Sequence, residues 1–311
     1  MFEFLKKAQF KIVAVLAGVL LVVLSFFQIE DIKAFHIVPL PSPLYPLFIL
    51  GVAIVIFSLI ADQIPSLLGR NAFTSAPGAQ IRSISDGLVA TVARSRVSIR
   101  WGHLETLVEE PQSSLVVLPA NEYFNDECIS DSRSALGAFL QAKFSGRTEN
   151  FRQLIAQKLA GLGHETVVVD GETRESFGLG AAVYLDRPFA ESYRILVAAA
   201  TTQRTGEGLK CDTATILKIV RAAITTANDH RLNHIFVPLL GAGHGSIRPE
   251  LALITQLLGW CESFYANPGR GLEVSIVIFQ RAGGRAPDVG RECARKLLSV
   301  ATYVCSPTTT E

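Results

Sequence analysis

The chain has 311 residues, of which 49% are hydrophobic and 18% are charged, and its formal net charge is +1. So many apolar residues exclude extended disorder, and the near-zero charge gives no support for binding to nucleic acid. Its five cysteines are widely spaced and include no CxxC pair, so neither a disulfide framework nor a metal-binding motif is indicated. We therefore expect reduced thiols, no metal ion and at least one sizeable folded domain.

Two long apolar runs lie near the N-terminus, at about 10–29 and 44–61. Each is close to the roughly 20 residues that a helix needs to cross a hydrocarbon core of about 30 Å. Residues 1–61 are therefore predicted to form a transmembrane helical hairpin with a short polar connection. A cleaved signal peptide fits less well, because no small-residue cleavage site follows Phe27. A buried core helix fits less well too, because neither run has a polar face.

The orientation of this hairpin follows from its flanking basic residues. Lysines precede the first run and arginines follow the second, which by the positive-inside rule places both ends in the cytoplasm. We therefore expect a multi-pass protein of the cell inner membrane with a cytoplasmic soluble domain.

The rest of the chain is predicted to be a linker at 62–95, a folded domain at 96–305 and a disordered tail at 306–311. Apolar strand-like runs alternate with helix-like segments in the domain, which predicts an α/β fold with a mixed sheet and helices on both faces. The predicted strands are 97–101, 115–119, 166–169, 181–185, 194–200, 234–239 and 273–280. The predicted helices are 134–144, 150–162, 213–230, 249–265 and 288–302. Ligands on such sheets bind at the carboxyl ends of the strands.

The first candidate binding loop follows the predicted strand 115–119. Asn121, at the strand end, has an amide that can both donate and accept hydrogen bonds. Asp131, Ser132, Arg133 and Ser134 precede a helix, and Ser132 or Ser134 is a candidate N-cap. The free N–H groups of the first helical turn, together with Arg133, favour an anion there. An ordinary capped loop without a ligand remains the alternative.

The second candidate loop follows the strand 234–239 and has three glycines among five residues. It consists of Gly241, Ala242, Gly243, His244, Gly245 and Ser246. Glycines let backbone N–H groups turn toward one point without interference from Cβ atoms, an arrangement that suits a diphosphate. A tight turn without a ligand is the alternative. The spacing matches neither a dinucleotide fingerprint nor a P-loop nor a nucleophile elbow.

Together the two loops resemble those of macro domains, the modules that bind ADP-ribose. Residues 118–121 read Leu-Pro-Ala-Asn where that family has Asn-Ala-Ala-Asn, and 241–245 stand where it has the loop that holds the diphosphate. Residues 102–104 read Gly-His-Leu where the family has Gly-Asp-Ile, whose aspartate reads adenine. Residues 122–133 replace a glycine run near the distal ribose. The resemblance implies altered adenine recognition and loss of the hydrolysis of ADP-ribosyl esters.

Two membrane helices followed by a divergent macro domain resemble the membrane-bound Thoeris effectors of bacterial anti-phage defence. The resemblance implies that a partner TIR-domain enzyme makes an ADP-ribose derivative, a histidine adduct in that family. It also implies that ligand binding drives self-association of this chain and disruption of the lipid bilayer, which ends in cell death or growth arrest. No cofactor is implied. A membrane-tethered ADP-ribosyl hydrolase and a passive ADP-ribose-binding scaffold are the alternatives.

The same resemblance suggests a role for each site residue. We expect 241–246 to hold the diphosphate, and Asn121 with 131–134 to contact the distal ribose and the group attached to it. Within that segment, Asp131 would pair with a cationic ring or amine, and Arg133 with a carboxylate. Thr202 is expected to line the pocket. Phe279, at the end of the last strand, either flanks the base or ribose or packs in the core. We predict no catalytic residue.

Overall fold

The computed structural model describes residues 27–31, 36–39, 80–108, 112–125, 129–203, 206, 208–267, 271–280 and 287–306. The chain divides into two units, Met1–Thr74 and Ser75–Glu311. In the first unit, the backbone of strand β1 (Phe27–Asp31) pairs antiparallel with that of strand β2 (His36–Pro39).

The predicted end of the first apolar helix is wrong, because β1 begins at Phe27. Residues 27–29 were expected to be helical, but they pair with residues 37–39. Apolarity does not fix backbone conformation, and aromatic and β-branched residues such as Phe27 and Ile29 favour strands. The remainder of the two predicted helices, 10–26 and 44–61, lies outside the described residues. Among the helices that the structure describes, none is both long and apolar enough to cross a membrane.

The second unit is built on a nine-stranded mixed sheet. In chain order, its strands are β3 (Ile81–Ile84), β4 (Gly87–Val92), β5 (Ser95–Gly102), β6 (Ser114–Asn121), β9 (Ala182–Asp186), β10 (Arg194–Gln203), β11 (Leu209–Lys210), β12 (His234–Pro238) and β13 (Glu273–Phe279). The order across the sheet is β11-β10-β6-β12-β13-β5-β4-β3, and β9 pairs with β10. The neighbouring strands from β10 to β5 are parallel, whereas the pairings of β3, β4, β9 and β11 are antiparallel. All seven predicted strands are present, and the mixed sheet is confirmed.

Helices cover both faces of this sheet, as predicted. They are α1 (Leu104–Leu107), α2 (Ala135–Lys143), α3 (Thr148–Leu159), α4 (Thr213–Asp229), α5 (Pro249–Ala266) and α6 (Arg291–Cys305). In the central strand β6, Leu115 and Val117 belong to the core under α4, α5 and α6. Val116 and Leu118 belong to the core under α2 and α3. Burial on both faces explains why this strand is a continuous apolar run rather than an alternating one.

The predicted linker 62–95 is wrong for its last part, because β3 and β4 lie inside it. Its turn-forming residues misled the prediction. Ser85 and Asp86 form only the two-residue turn between β3 and β4. Gly87 lies within β4, where a Cβ atom would come 2.2 Å from the carbonyl oxygen of Ile99. Glycine at this position therefore allows close approach of two strands rather than flexibility. The tail beyond residue 306 lies outside the described residues.

A separate two-stranded hairpin stands outside the main sheet. It pairs β7 (Glu165–Val169) antiparallel with β8 (Glu172–Ser176). Asp170 and Gly171 form its turn with φ angles of 51° and 83°. Two consecutive positive φ values are typical of the tightest hairpin turns, in which Asp-Gly is a favoured pair.

Candidate functional site

The structure brings the two predicted loops together at the carboxyl edge of the sheet. Strands β6 and β12 are parallel neighbours, so the loops that follow them leave the sheet on the same side. Across the gap between the loops, Nε2 of His244 lies 3.6 Å from Oδ2 of Asp131. The two sequence motifs therefore form one surface region.

The three glycines of the second loop differ in why a side chain is absent at each position. Gly241 has a φ of +76°, and a Cβ atom there would lie 2.9 Å from Sγ of Cys211. A Cβ atom on Gly245 would lie 2.8 Å from Cβ of Cys211, whose N–H donates to the Gly245 carbonyl at 2.9 Å. A Cβ atom on Gly243, by contrast, would meet nothing within 4 Å. The outer glycines thus allow the loop to fold against Cys211, whereas Gly243 borders open space.

The backbone donors of this loop are its main chemical feature. None of the backbone N–H groups of 241–246 donates a hydrogen bond to another residue in the described part of the chain. The loop is held instead through its carbonyls and a side chain. Ile247 N–H donates to the Gly241 carbonyl at 3.0 Å, and the Ser246 hydroxyl donates to the Leu209 carbonyl at 3.2 Å. These six consecutive N–H groups, which have no partner among the described residues, are candidate donors to an anion.

In the first loop, Ser134 rather than Ser132 caps the following helix. Its Oγ accepts a hydrogen bond from the N–H of Gly137 at 2.9 Å. Ser132 is exposed in the preceding turn. The carboxylate of Asp131 accepts hydrogen bonds from the backbone N–H and from Nε of Arg133, both at 2.9 Å. These hydrogen bonds hold the pKa of Asp131 below its usual range.

The pairing of Asp131 with Arg133 differs from the separate ligand contacts that we expected. The two side chains neutralise each other in this structure because they are only two residues apart in a turn. Contact of either with a ligand stays a prediction. An anion or a cation would first have to compete with this exposed ion pair, which is a weak barrier.

Asn121 lies where the sequence placed it, at the end of β6, but its amide is used within the turn. The side chain is only 1% exposed. Its Nδ2 donates to Oδ1 of Asn125 at 2.7 Å, and its Oδ1 accepts from the N–H of Tyr123 at 3.2 Å. The amide therefore shapes the first loop. Ligand contact by Asn121 stays a prediction.

Glu122 is a residue whose importance the sequence did not indicate. Its carboxylate accepts hydrogen bonds from the hydroxyls of Thr202 and Ser176, the latter at 2.9 Å. Its own N–H donates to the Thr201 carbonyl at 2.8 Å. Glu122 thereby joins the ends of β6, β8 and β10. The hydroxyl of Thr202 donates to Glu122, and the expectation that Thr202 lines the ligand pocket stays a prediction. No local pattern could have revealed this role of Glu122, because the partners come from distant segments.

Phe279 forms an aromatic pair with His103 at the ends of two neighbouring parallel strands. The two ring centroids lie 4.9 Å apart with an interplanar angle of 78°. Nδ1 of His103 lies 3.3 Å from a carboxylate oxygen of Glu105. Phe279 is 49% exposed, so the alternative in which it packs in the core is wrong. An exposed ring at a strand end offers a surface for stacking a base.

A cavity of about 760 Å³ lies beside the first loop. We call it the side cavity. It is open to solvent and is lined by the turn 123–125, by residues 152–160 of α3 and its C-terminal end, and by His164, β8 and Phe177. None of the residues that line it belongs to the glycine loop. Across the described residues, there is no group of three or more His, Cys, Asp or Glu side chains arranged to hold a metal ion.

The comparisons with known proteins agree with this architecture. Residues 98–264 match the family model for the macro domain of the Thoeris protein ThsA, which is more than half of the chain. The chain therefore belongs to the Thoeris ThsA macro-domain family. None of the curated proteins matches it.

Several solved macrodomain structures are similar to this chain in fold. The Oceanobacillus iheyensis macrodomain with ADP is 13% identical, with 71% of this chain and 95% of that one covered and a TM-score of 0.48. The same macrodomain with MES bound is 13% identical, with 71% and 96% covered and a TM-score of 0.47. The Trypanosoma brucei macrodomain in complex with ADP-ribose is 13% identical, with 66% and 68% covered and a TM-score of 0.42.

Proposed function

We propose that this chain binds an ADP-ribose-derived nucleotide at the carboxyl edge of its sheet, with the diphosphate on the loop 241–246. The observation that carries the proposal is the row of backbone N–H groups that lack partners within the described chain. An anion bound there would accept hydrogen bonds from several of these N–H groups at once. Gly243 has no side chain to obstruct the anion, and the space beside it is open. Membership in the Thoeris ThsA macro-domain family supports a nucleotide of this class.

We propose the remaining contacts of the nucleotide from the residues at the neighbouring strand ends. The exposed Phe279 ring, supported by His103, would stack on the base. Glu105 beside His103 would orient the imidazole for a hydrogen bond to the base edge. The distal ribose would then lie toward the first loop, near Asn121 and Asp131.

We propose a binding protein rather than an enzyme. The amide of Asn121 is buried and engaged in its turn, which does not favour a role in chemistry on the distal ribose. Incubation of the full-length chain with an ADP-ribosylated protein and with free ADP-ribose derivatives tests this directly. Release of product at a rate dependent on the chain would support the ADP-ribosyl hydrolase instead.

At the level of the cell, we propose that the chain is an effector of anti-phage defence. A partner TIR-domain enzyme would make the nucleotide, which we propose to be a histidine adduct of ADP-ribose. Binding would favour self-association, and the apolar N-terminal runs would then disrupt the inner membrane. A ligand can drive such a change only if it binds the assembled state more tightly than the separate chains.

Two measurements on the full-length chain test this function in order. Isothermal titration with ADP-ribose tests the nucleotide site, and absence of heat at millimolar ligand would contradict it. Release of a trapped dye from liposomes that carry the chain, on addition of an ADP-ribose derivative that the titration shows to bind, tests the effector role. Binding without dye release would favour the passive scaffold.

A further inference from the structure

Two strands of the second unit, β3 and β7, each pair with one neighbour only. β3 is the last strand of the nine-stranded sheet, and β7 belongs to the separate hairpin. In a hairpin closed by a two-residue turn, alternate residues bond the partner strand. Ile81 and Ser83 of β3 therefore direct their backbone groups outward, and so do Thr166 and Val168 of β7. Among the described residues, none of these four has a backbone hydrogen bond outside its own hairpin.

Both edges are accessible to another molecule. Ser83 and Thr166 are exposed, and the Val168 side chain is 67% exposed. An exposed edge with β-branched residues is a template for pairing with a further strand, and natural proteins usually protect such edges. The exposure of β7 therefore indicates an interaction surface.

The edge formed by β3 is positively charged on both faces of the sheet. Arg82 is exposed on one face. On the other face, Nη2 of Arg295 in α6 donates to Oγ of Ser83 at 2.7 Å. The nearby carboxylate of Asp86 is already paired, since it lies 2.6 Å from Nε of Arg100. This edge therefore favours a strand that carries carboxylates.

The hairpin that contains β7 is negatively charged. Its residues 165–176 include four carboxylates and one arginine. Glu165 is exposed, and the Glu175 side chain is 64% exposed. Because Glu165 pairs with Ser176, Glu165 and Glu175 lie on opposite faces of the hairpin. The acidic edge thus has a carboxylate on each face, as the basic edge has an arginine on each face.

We propose that β7 of one copy of this chain adds to the sheet of the next copy by antiparallel pairing with β3. Ile81 lies opposite Val168 of the next copy, and Ser83 lies opposite Thr166. This register bonds the outward backbone groups of both strands and covers the exposed Val168 side chain.

The same register pairs the charges on both faces. Arg82 lies diagonally across from Glu165 of the next copy, within reach of two long side chains. On the other face, Ser83, Thr166 and Glu175 form one row across three strands. Arg295, which bonds Ser83, then faces Glu175 over about 10 Å of sheet, a distance that an arginine and a glutamate span together.

The two edges suit each other better than either suits itself. Pairing of β3 with a second β3 through the same outward groups places Arg82 opposite Arg82, which is unfavourable. Pairing of two β7 strands brings together two hairpins of the same negative charge. One chain cannot join its own two edges, because Arg174 of the hairpin bonds Gln203 of β10. Five strands separate β10 from β3, which places them roughly 29 Å apart.

An interface between two different edges leaves one edge free on each end copy. Such head-to-tail contacts build rings when the rotation closes and open chains when it does not. This inference deepens the proposed function, because it rests on the self-association proposed there and identifies the surfaces that carry it.

Disulfide cross-linking of the full-length chain in detergent, with and without ADP-ribose, tests the pairing. A mixture of Ser83→Cys and Thr166→Cys chains should form a cross-linked dimer under mild oxidation, because opposite residues have Cβ atoms about 5 Å apart. The matched control replaces Thr166→Cys by Thr173→Cys, which is exposed on β8, one strand farther away. The control and the unmodified chain should give only background. Absence of the dimer in both conditions, or equal yield in the control, would overturn the proposal.

Charge reversal provides the second test, with the assembly followed by analytical ultracentrifugation. Arg82→Glu and Glu165→Arg should each raise the dissociation constant for assembly ~10-fold, because an attraction becomes a repulsion. The two changes in one chain should restore assembly. Arg221→Glu, exposed on α4, changes the net charge equally and should have no effect. Since these positions are exposed, unchanged melting temperatures are expected. Failure of the double variant to recover, with folding intact, would overturn the proposal.

Titration with ADP-ribose separates this inference from the proposed nucleotide site. All the edge variants should bind ADP-ribose as the unmodified chain does, because neither edge contributes to the loop 241–246. If ADP-ribose binds but the cross-link is absent, the edge pairing fails and the nucleotide site stands. If the cross-link forms but ADP-ribose does not bind, the nucleotide site fails and the edge pairing stands.

Discussion

Replacement of Gly243 by glutamate tests the diphosphate site most directly, because the structure separates its effect on binding from its effect on folding. A Cβ atom at this position meets nothing within 4 Å, and the φ angle of Gly243 lies outside the region that side chains avoid. The free energy of unfolding should therefore change by no more than about 0.5 kcal/mol, as for other exposed positions.

The expected loss of affinity comes from charge repulsion. A glutamate carboxylate at about 6 Å from a phosphate charge, with an effective dielectric constant of about 20, interacts unfavourably by about 3 kcal/mol. The diphosphate carries more than one negative charge. Because Gly243 is exposed and solvent screens the interaction, we count only one pair of charges. This energy corresponds to a roughly 100-fold larger dissociation constant for ADP-ribose.

The assay is titration of full-length Gly243→Glu, Gly243→Gln and Gly243→Ala with ADP-ribose at low and high salt. Glutamine has the size of glutamate without its charge, so Gly243→Gln should lose no more than about tenfold, and Gly243→Ala should bind normally. The difference between glutamate and glutamine should shrink as salt rises, because salt screens exposed charges. Wild-type affinity in Gly243→Glu, with folding intact, would refute the assignment of the diphosphate to this loop.

Three further predictions concern stability. Gly241→Ala should lower the free energy of unfolding by at least about 1–2 kcal/mol in urea, because φ is +76° and Sγ of Cys211 lies 2.9 Å from the added Cβ; an unchanged midpoint would contradict the loop geometry. Asp212 caps α4 by accepting from Thr215 N–H at 2.6 Å, and this hydrogen bond lowers its pKa. Asp212→Ala should therefore cost about 1 kcal/mol at pH 7, and the difference should shrink below pH ~4, as the aspartate is protonated, and vanish below its lowered pKa. If the difference in free energy of unfolding between the two proteins stayed constant as the pH fell below the lowered pKa, the charged form of Asp212 would not be what caps the helix. Gln256 is fully buried, and neither amide atom has a hydrogen-bond partner in the described structure, so Gln256→Met should raise the melting temperature. A lower melting temperature would mean that a buried water satisfies the amide.

The parts of the fold that could be predicted from sequence are those that depend on local pattern. The continuous apolar run of β6 is typical of a strand buried on both faces, which it is. The polar residues before α2 include Ser134, which caps that helix. The glycine density of 241–245 predicted a tight loop between a strand and a helix, and Gly241, with a φ of +76°, lies in such a loop; the anion site there stays a prediction. These features are encoded within about ten residues of chain, so a single sequence contains them.

The parts that could not be predicted depend on contacts between distant residues. Gly87 is in a strand because the backbone of Ile99 approaches it, and nothing near Gly87 in the sequence indicates that approach. Likewise, Glu122 joins Ser176 and Thr202 from two other strands, and the side cavity exists only because the β7–β8 hairpin folds over α3 and the turn 123–125. Such features emerge from tertiary structure, where local propensity is a weak guide.

The placement of β3 and β4 in the sheet makes β5 an interior strand, hydrogen-bonded to β4 on one side and to β13 on the other. A change of register in β5 would break hydrogen bonds to both neighbours. The end of β5 that leads to His103 is therefore held in place from two sides.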